Sequence, residues 1–170
     1  MPPIVAIIGK SKSGKTTLIE KMILELKRKG YRVATIKHTF HKVSIDKAGK
    51  DSWRHIQAGS EATAISSSNN VVVIKPVTEN MDPCNIAHLL GEDYDIILAE
   101  GFKHSNIPKI EVHRKEIGPP LNAIRGLIAI ATNEPLETTT RQFALQDIKG
   151  LTDFLESSFI KSQGNISRPT

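Results

Sequence analysis

Gly9-Lys10-Ser11-Lys12-Ser13-Gly14-Lys15-Thr16 sets two glycines, a lysine and a hydroxyl at the fixed positions of G-x-x-x-x-G-K-[ST]. The chemistry of that spacing is polyphosphate binding. Gly9 and Gly14 permit backbone angles that turn successive N–H groups towards one anion, and a helix opening near Lys15 adds its positive end. Lys15 reaches the β- and γ-phosphates, and the Thr16 hydroxyl is a ligand for Mg²⁺. Lys10, Ser11, Lys12 and Ser13 line the same loop.

Such a loop needs a carboxylate at the C-terminal end of a neighbouring strand to hold Mg²⁺ or its water shell. Glu100 ends the apolar run Ile96-Ile97-Leu98-Ala99, whereas Asp95 belongs to the far end of the same strand. A second acidic position, Asp46, lies in a segment dense in His, Lys and Asp between His38 and Lys50. It is read either as a sensor of Mg²⁺ and the γ-phosphate or as part of a site for another anionic partner. His38 and His41 stand i, i+3, but no further His or Cys pair completes a tetrahedral zinc set nearby. The chain has no N-K-x-D tetrad. After the run Leu127–Ala131 it carries Thr132-Asn133-Glu134-Pro135. A carboxylate there could accept from N1–H and the 2-amino group of guanine, or the segment is simply a turn closed by proline.

The elements that must position these groups follow from periodicity. Ile4–Ile8 is a continuous apolar run ending at Gly9, the pattern of a strand buried on both faces. Leu18, Ile19, Met22, Ile23 and Leu26 make one helix face, and Lys27, Arg28 and Lys29 before Gly30 suit its C-terminal end. Tyr31–Lys37 completes a βαβ unit. Asp51 is expected to cap a short helix to Gly59, Glu61–Ser66 and Val71–Lys75 to form a hairpin, and Asp82-Pro83 to open a helix to Leu90. Tyr94–Glu100 and Leu127–Ala131 read as buried strands, Lys109–His113 as a half-exposed one, and Asp147 as the start of the last helix. The expected fold is α/β and P-loop NTPase-like, a mainly parallel sheet flanked by helices with an antiparallel hairpin insertion. Residues 1–161 are expected to form a single nucleotide-binding domain, with 162–170 as a disordered tail.

Charge is distributed unevenly. The 170 residues carry +5 overall, but the first 50 hold 12 basic and 3 acidic side chains. A nucleotide site with an adjoining anion pocket accounts for this better than nucleic acid, because only Tyr31 and Phe40 could stack on bases within that block. Cys84 is the sole cysteine, which excludes an intramolecular disulfide and fits a reduced, cytoplasmic compartment. No stretch approaches a membrane span and no signal-peptide pattern opens the chain, so no membrane partner is expected.

Taken together, GKSKSGKTTL at 9–18, IKHTFHKVSIDKAGKDSWRHIQAG at 36–59, DIILAEGFK at 95–103 and PKIEVHR at 108–114 resemble the molybdopterin-guanine dinucleotide biosynthesis protein B family, MobB. The resemblance spans residues 4 to about 131. It implies a GTP-binding accessory protein, at most a slow Mg²⁺-dependent GTPase, that assists a MobA-type guanylyltransferase in attaching GMP to molybdopterin. It also implies a homodimer in which strands of two protomers share a sheet. Carried over by position, Gly14, Lys15, Thr16 and Thr17 would hold phosphate and Mg²⁺, Asp46 and Glu100 would serve the metal side, and Lys103 and Arg114 would line an anionic site. No glutamine stands ready to orient an attacking water and no arginine finger is assigned, so catalysis should be modest. A small-molecule or nucleoside kinase is the alternative, with the loop at 38–51 holding a phosphate acceptor and Asp46 as its general base.

Overall fold

The computed structural model describes residues 1–39, 41, 43 and 46–163. The chain divides into two compact units, one built from Met1–His38 and the chain from Asp82 onward, the other from Thr39–Met81.

The larger unit is organised around one six-stranded sheet. Its strands are β1 (Ile4–Ile8), β2 (Val33–Lys37), β5 (Ile96–Glu100), β6 (Lys109–Val112), β7 (Leu127–Thr132) and β8 (Arg141–Ala144), in the spatial order β2-β5-β1-β6-β7-β8. All five pairings are parallel. Helices cover both faces, as a parallel sheet requires. On one face Val5, Ile7, Leu98, Ile110 and Ala129 meet Leu18, Ile19, Met22 and Leu26 of α1 (Lys15–Arg28) and Leu151 and Leu155 of α4 (Ile148–Leu155). On the other, Ile4, Ala6, Ile8, Ile97 and Ala99 meet Ala87 of α3 (Pro83–Leu90). Each large aliphatic side chain so buried stabilises the fold by about 1.5–3 kcal/mol. No helix among the described residues is long and apolar enough to cross a membrane.

The helix boundaries have local causes. Gly30, at φ 88°, lies just beyond Lys29 and lets the chain leave α1 in the left-handed region. Asp82 caps α3 by accepting from Cys84 N at 2.8 Å, with Pro83 as its first residue. Asp147 caps α4 by accepting from Gly150 N at 2.9 Å.

Several expectations need correction. Lys109–His113 is not a half-exposed strand: β6 lies between β1 and β7, and Lys109, Glu111 and His113 are all buried. Burial is tolerated because the Lys109 ammonium donates to the carbonyls of Ser105, Ile107 and Arg125 at 2.6, 2.9 and 3.0 Å. Burial, followed by the neighbouring positive charge of Arg125, holds its pKa below the usual lysine value. The polar alternation of KIEVH therefore marks buried groups rather than a solvated face. In the smaller unit, Asp51 is the first residue of α2 (Asp51–Gln57) rather than its cap; Lys50 holds that place and makes no side-chain capping bond. The strand β8 was not anticipated, because RQFA at the sheet edge is mostly exposed and lacks an apolar run. The tail expectation falls largely on 164–170, outside the described residues; Lys161–Gln163 continue the C-terminal helical run as a 3₁₀ turn.

The smaller unit contains α2 and the antiparallel pair β3 (Thr63–Ser66) and β4 (Val71–Ile74), whose tip closes through Ser67 N donating to Asn70 O at 2.8 Å. It matches the expected hairpin within two residues. Val71 and Val73 are 66% and 59% exposed, so one face of this ribbon is apolar and open.

The C-terminal helical run is fastened to the end of α1 by charge. Lys29 donates to Asp153 and Glu156, Tyr31 Oη donates to Glu156 at 2.9 Å, and Lys149 and Lys161 add ion pairs at 2.8 and 2.7 Å. Asp153 is lowered from 3.8 to about 2, chiefly by Lys149 and then Lys29. Glu156 is lowered from 4.5 to about 2, chiefly by Lys161 and then Lys29 and Tyr31. Both carboxylates have depressed pKa values in the folded state, so their stabilisation is complete above the unfolded values and is lost as pH falls towards about 2. Acid titration followed by circular dichroism is expected to show stability falling between about pH 4.5 and 2, and Lys29→Met is expected to flatten that dependence.

Candidate functional site

The phosphate loop lies where β1 leaves the sheet. Because β1 is central and its neighbours run parallel, the C-terminal ends of β5, β6 and β7 open on the same edge, so residues far apart in sequence are gathered around Gly9–Thr16. Lys12, at φ 64°, and Gly14, at φ 97°, both take the left-handed region, which bends the loop before α1 begins. A non-glycine residue held there is a local strain of the kind found at ligand-binding turns. Ser11, Lys12, Thr16 and Thr17 are exposed, while Ser13 is buried beneath the loop. Lys15 Nζ spans the loop from below, donating to Gly9 O at 3.2 Å and Lys10 O at 2.9 Å.

Ile7 of β1 is in register with Glu100 of β5, and this register carries the strand-end carboxylate to the start of α1. Thr16 Oγ1 donates to Glu100 Oε2 at 3.0 Å, and Lys37 Nζ approaches the same oxygen at 3.8 Å. A hydroxyl and a carboxylate in contact beside a phosphate loop form a hard-oxygen donor set that suits Mg²⁺. Asp95 lies at the opposite end of β5, where it accepts from Arg32 N at 2.7 Å. After Glu100 the chain turns sharply. Gly101 has φ 99° and a Cβ there would lie 3.2 Å from His38 Cβ, while Phe102 takes φ 58° and sets its ring 4.9 Å from that of His38. Lys103 follows, exposed in the turn.

Arg114 and His113 come from the end of β6. Arg114 Nε donates to Ser13 O at 2.9 Å, so it braces the phosphate loop through the main chain. His113 Nε2 and Glu134 Oε1 are 2.9 Å apart, and Lys115 Nζ stands 3.8 Å from the other oxygen of Glu134. Asn133 Oδ1 accepts from Lys115 N at 2.9 Å, and its amide donates to both Glu116 oxygens at 2.9 and 3.0 Å. Both side chains named for base recognition thus hold internal partners. They also line an open pocket of about 340 Å³ with Pro135, Gln142, Phe143 and Gln146, at the ends of β7 and β8. Asp46 belongs to the smaller unit, where its Oδ1 accepts from Ser52 Oγ at 3.1 Å.

The structure thus brings together Gly9–Thr17, Glu100 and Arg114 directly, with Glu134 linked to them through His113 and Asn133 through Lys115 and Glu116. Sequence reading missed the Arg114–Ser13 brace, the His113–Glu134 contact and the burial of Glu111. The one available signal was the odd mixture of charge and aliphatic residues in KIEVHR, which a solvated strand explains equally well.

The family described as molybdopterin guanine dinucleotide synthesis protein B matches residues 4–133. The molybdopterin-guanine dinucleotide biosynthesis adapter protein of Haemophilus influenzae is 39% identical over 160 residues, covering 91% of this chain and 88% of that one. Its Escherichia coli counterpart is 35% identical over 170 residues, covering 96% and 97%. Among solved structures, Bacillus subtilis MobB superposes with a TM-score of 0.69 at 26% identity, covering 92% of this chain and 98% of that one.

Proposed function

The chain belongs to the molybdopterin guanine dinucleotide synthesis protein B family, and from that premise we propose that it is a GTP-binding adapter that works beside a MobA-type guanylyltransferase in attaching GMP to molybdopterin. The observation that carries this reading is the contact of Thr16 Oγ1 with Glu100 Oε2 at 3.0 Å, at the mouth of a loop whose lysine reaches two loop carbonyls.

In this reading Gly9 to Thr17 cradle the polyphosphate. Lys15 exchanges Gly9 O and Lys10 O for β- and γ-phosphate oxygens, an exchange of neutral acceptors for charged ones that favours the bound state. Thr16 and Glu100 would hold Mg²⁺, which would supply charge neutralisation at the phosphates. Arg114 keeps Ser13 in place while its remaining guanidinium N–H groups, with Lys103, serve an anionic group beside the loop. Asn133 and Glu134 meet the guanine edge at the pocket they line, Glu134 through the oxygen not taken by His113. Hydrolysis is slow, because Gly9–Thr17 contains no glutamine to orient an attacking water.

The smaller unit supplies the means of assembly. A two-stranded ribbon is marginal by itself, and this one leaves Val71 and Val73 open and, among the described residues, both strand edges unpaired. A second copy of the chain, pairing ribbon with ribbon, satisfies both needs, and the homodimer then presents two nucleotide sites to the transferase and its molybdopterin.

Incubation with γ-labelled GTP and Mg²⁺ separates this from the phosphotransfer alternative. The label is expected to remain mostly on GTP, with slow release as inorganic phosphate. Label appearing on a small metabolite instead would make the protein a kinase and set the adapter reading aside.

A further inference from the structure

Two buried side-chain atoms of the larger unit, Ser13 Oγ and Glu111 Oε2, have no hydrogen-bond partner among the described residues. Both belong to residues at most 2% exposed, and both residues line one narrow space at the C-terminal end of β6, shared with Lys10, His113, Arg114 and Gly118. That space is too tight to admit a water molecule. A buried carboxylate oxygen and a buried hydroxyl are complementary, and leaving both unpaired is costly. Two unpaired groups in the lining of one space, a donor and an acceptor, mark a contact that belongs to another position of the loop.

The surroundings show what holds the two apart. Glu111 is fixed by its other oxygen, which accepts from Leu121 N at 2.8 Å. Ser13 is fixed through its carbonyl by Arg114 and confined on the inside by Gly9, where a Cβ would come within 2.7 Å of Ser13 Oγ. The far end of the loop is tied down by Lys15, which grips the carbonyls of Gly9 and Lys10. Once Lys15 turns to a phosphate, that grip is released and the Gly9–Ser13 arc is free to settle.

We propose that Glu111 is a positioning residue for the phosphate loop, accepting a hydrogen bond from Ser13 Oγ in the triphosphate-bound state and so locking the loop closed around the anion. This inference rests on the reading of Gly9–Thr17 as a triphosphate site. Glu111 touches no ligand; it acts through Ser13. Releasing two unpaired groups from that state adds to triphosphate affinity while adding nothing to the stability of the unliganded fold.

The test is a double-mutant cycle on full-length protein, reading GTP affinity by calorimetry with Mg²⁺ and melting temperature without nucleotide. Ser13→Ala is expected to weaken GTP by about tenfold, near 1.4 kcal/mol, and to leave the unliganded melting temperature unchanged or raised. Glu111→Leu combined with Ser13→Ala is expected to be no weaker than either single variant. Glu111→Gln is expected to retain most of the affinity, because its carbonyl still accepts from Leu121 N and its amide can donate to the Ser13 hydroxyl. Wild-type affinity in Ser13→Ala, additive losses in the double variant, or a matching loss of unliganded stability would each overturn the proposal. Absence of triphosphate binding by the unaltered protein would overturn the underlying site assignment as well, and so distinguishes the two failures.

Discussion

Lys15→Ala is expected to lower triphosphate affinity by at least about a hundredfold, close to 3 kcal/mol, while the fold survives. The asymmetry comes from what the ammonium touches. Without ligand, Lys15 Nζ binds only Gly9 O and Lys10 O, on a side chain that is half-buried at the first residue of α1. Losing those bonds costs about 1 kcal/mol, and alanine restores some of this because it is the best helix former. With a triphosphate present, the same group would face the most concentrated negative charge in the site, and no other lysine occupies its place on α1. Calorimetric titration together with a melting curve checks both halves; unchanged affinity with a normal melting temperature would show that the loop does not hold phosphate.

Gly9→Ala is expected to have the larger effect on the fold. Gly9 has φ +150°, and a Cβ there would lie 2.5 Å from the Val112 carbonyl oxygen and 2.7 Å from Ser13 Oγ. The first contact is with main chain of the adjacent strand, which cannot turn aside as a flexible side chain can. The β1–β6 pairing at Ile8 and Glu111 immediately precedes it, so relief requires parting the two central strands. Steric overlap and an unfavourable backbone angle together are expected to destabilise by about 3 kcal/mol or more. For a domain of this size that corresponds to a fall in melting temperature of roughly 6–12 °C. Gly14→Ala offers the contrast: its Cβ would meet only the end of the Arg114 side chain at 3.4 Å. It is expected to cost chiefly the strain of its left-handed angle, about 1–2 kcal/mol. Equal melting temperatures for the two variants would remove this explanation.

What was legible from sequence shares a property. The phosphate loop, β1, α1 and the Asp82-Pro83 start of α3 are each specified within about 15 residues by spacing, caps and periodicity. Glu100 was legible for the same reason, since a carboxylate ending an apolar run has one plausible place in a parallel sheet. What could not be read depends on register between distant strands. Placing β1 between β5 and β6 decides that Glu100 meets Thr16, that Lys109 and Glu111 are enclosed, and that Arg114 reaches Ser13 across 101 positions. No local pattern distinguishes an exposed KIEVH from one whose lysine donates to three carbonyls. Asn133 and Glu134 show the converse: the position after β7 was foreseen, but not that His113, Lys115 and Glu116 would already engage both side chains.

The polar residues of β6 therefore matter more than their number suggests. Lys109 ties the chain leading from Glu100 and Phe102 to the base of the strand, and Ser105 continues the tie by donating to Phe102 O through both Oγ and N, at 2.8 and 3.1 Å. At the other end of the same strand His113 meets Glu134, and Arg114, the next residue, braces Ser13. One buried strand thus links the turn after Glu100, the phosphate loop and the proposed base pocket within the larger unit.

The central claim, a GTP site at Gly9–Thr17 with Mg²⁺ on Thr16 and Glu100, is tested most directly by titrating the full-length protein with GTP and ATP, each with and without Mg²⁺. GTP is expected to bind more tightly than ATP by roughly tenfold or more, as a hydrogen-bonding site for the guanine edge implies, and to weaken on removal of Mg²⁺. Equal affinities for the two nucleotides would contradict the guanine assignment, and no binding of either with Mg²⁺ present would contradict the site itself.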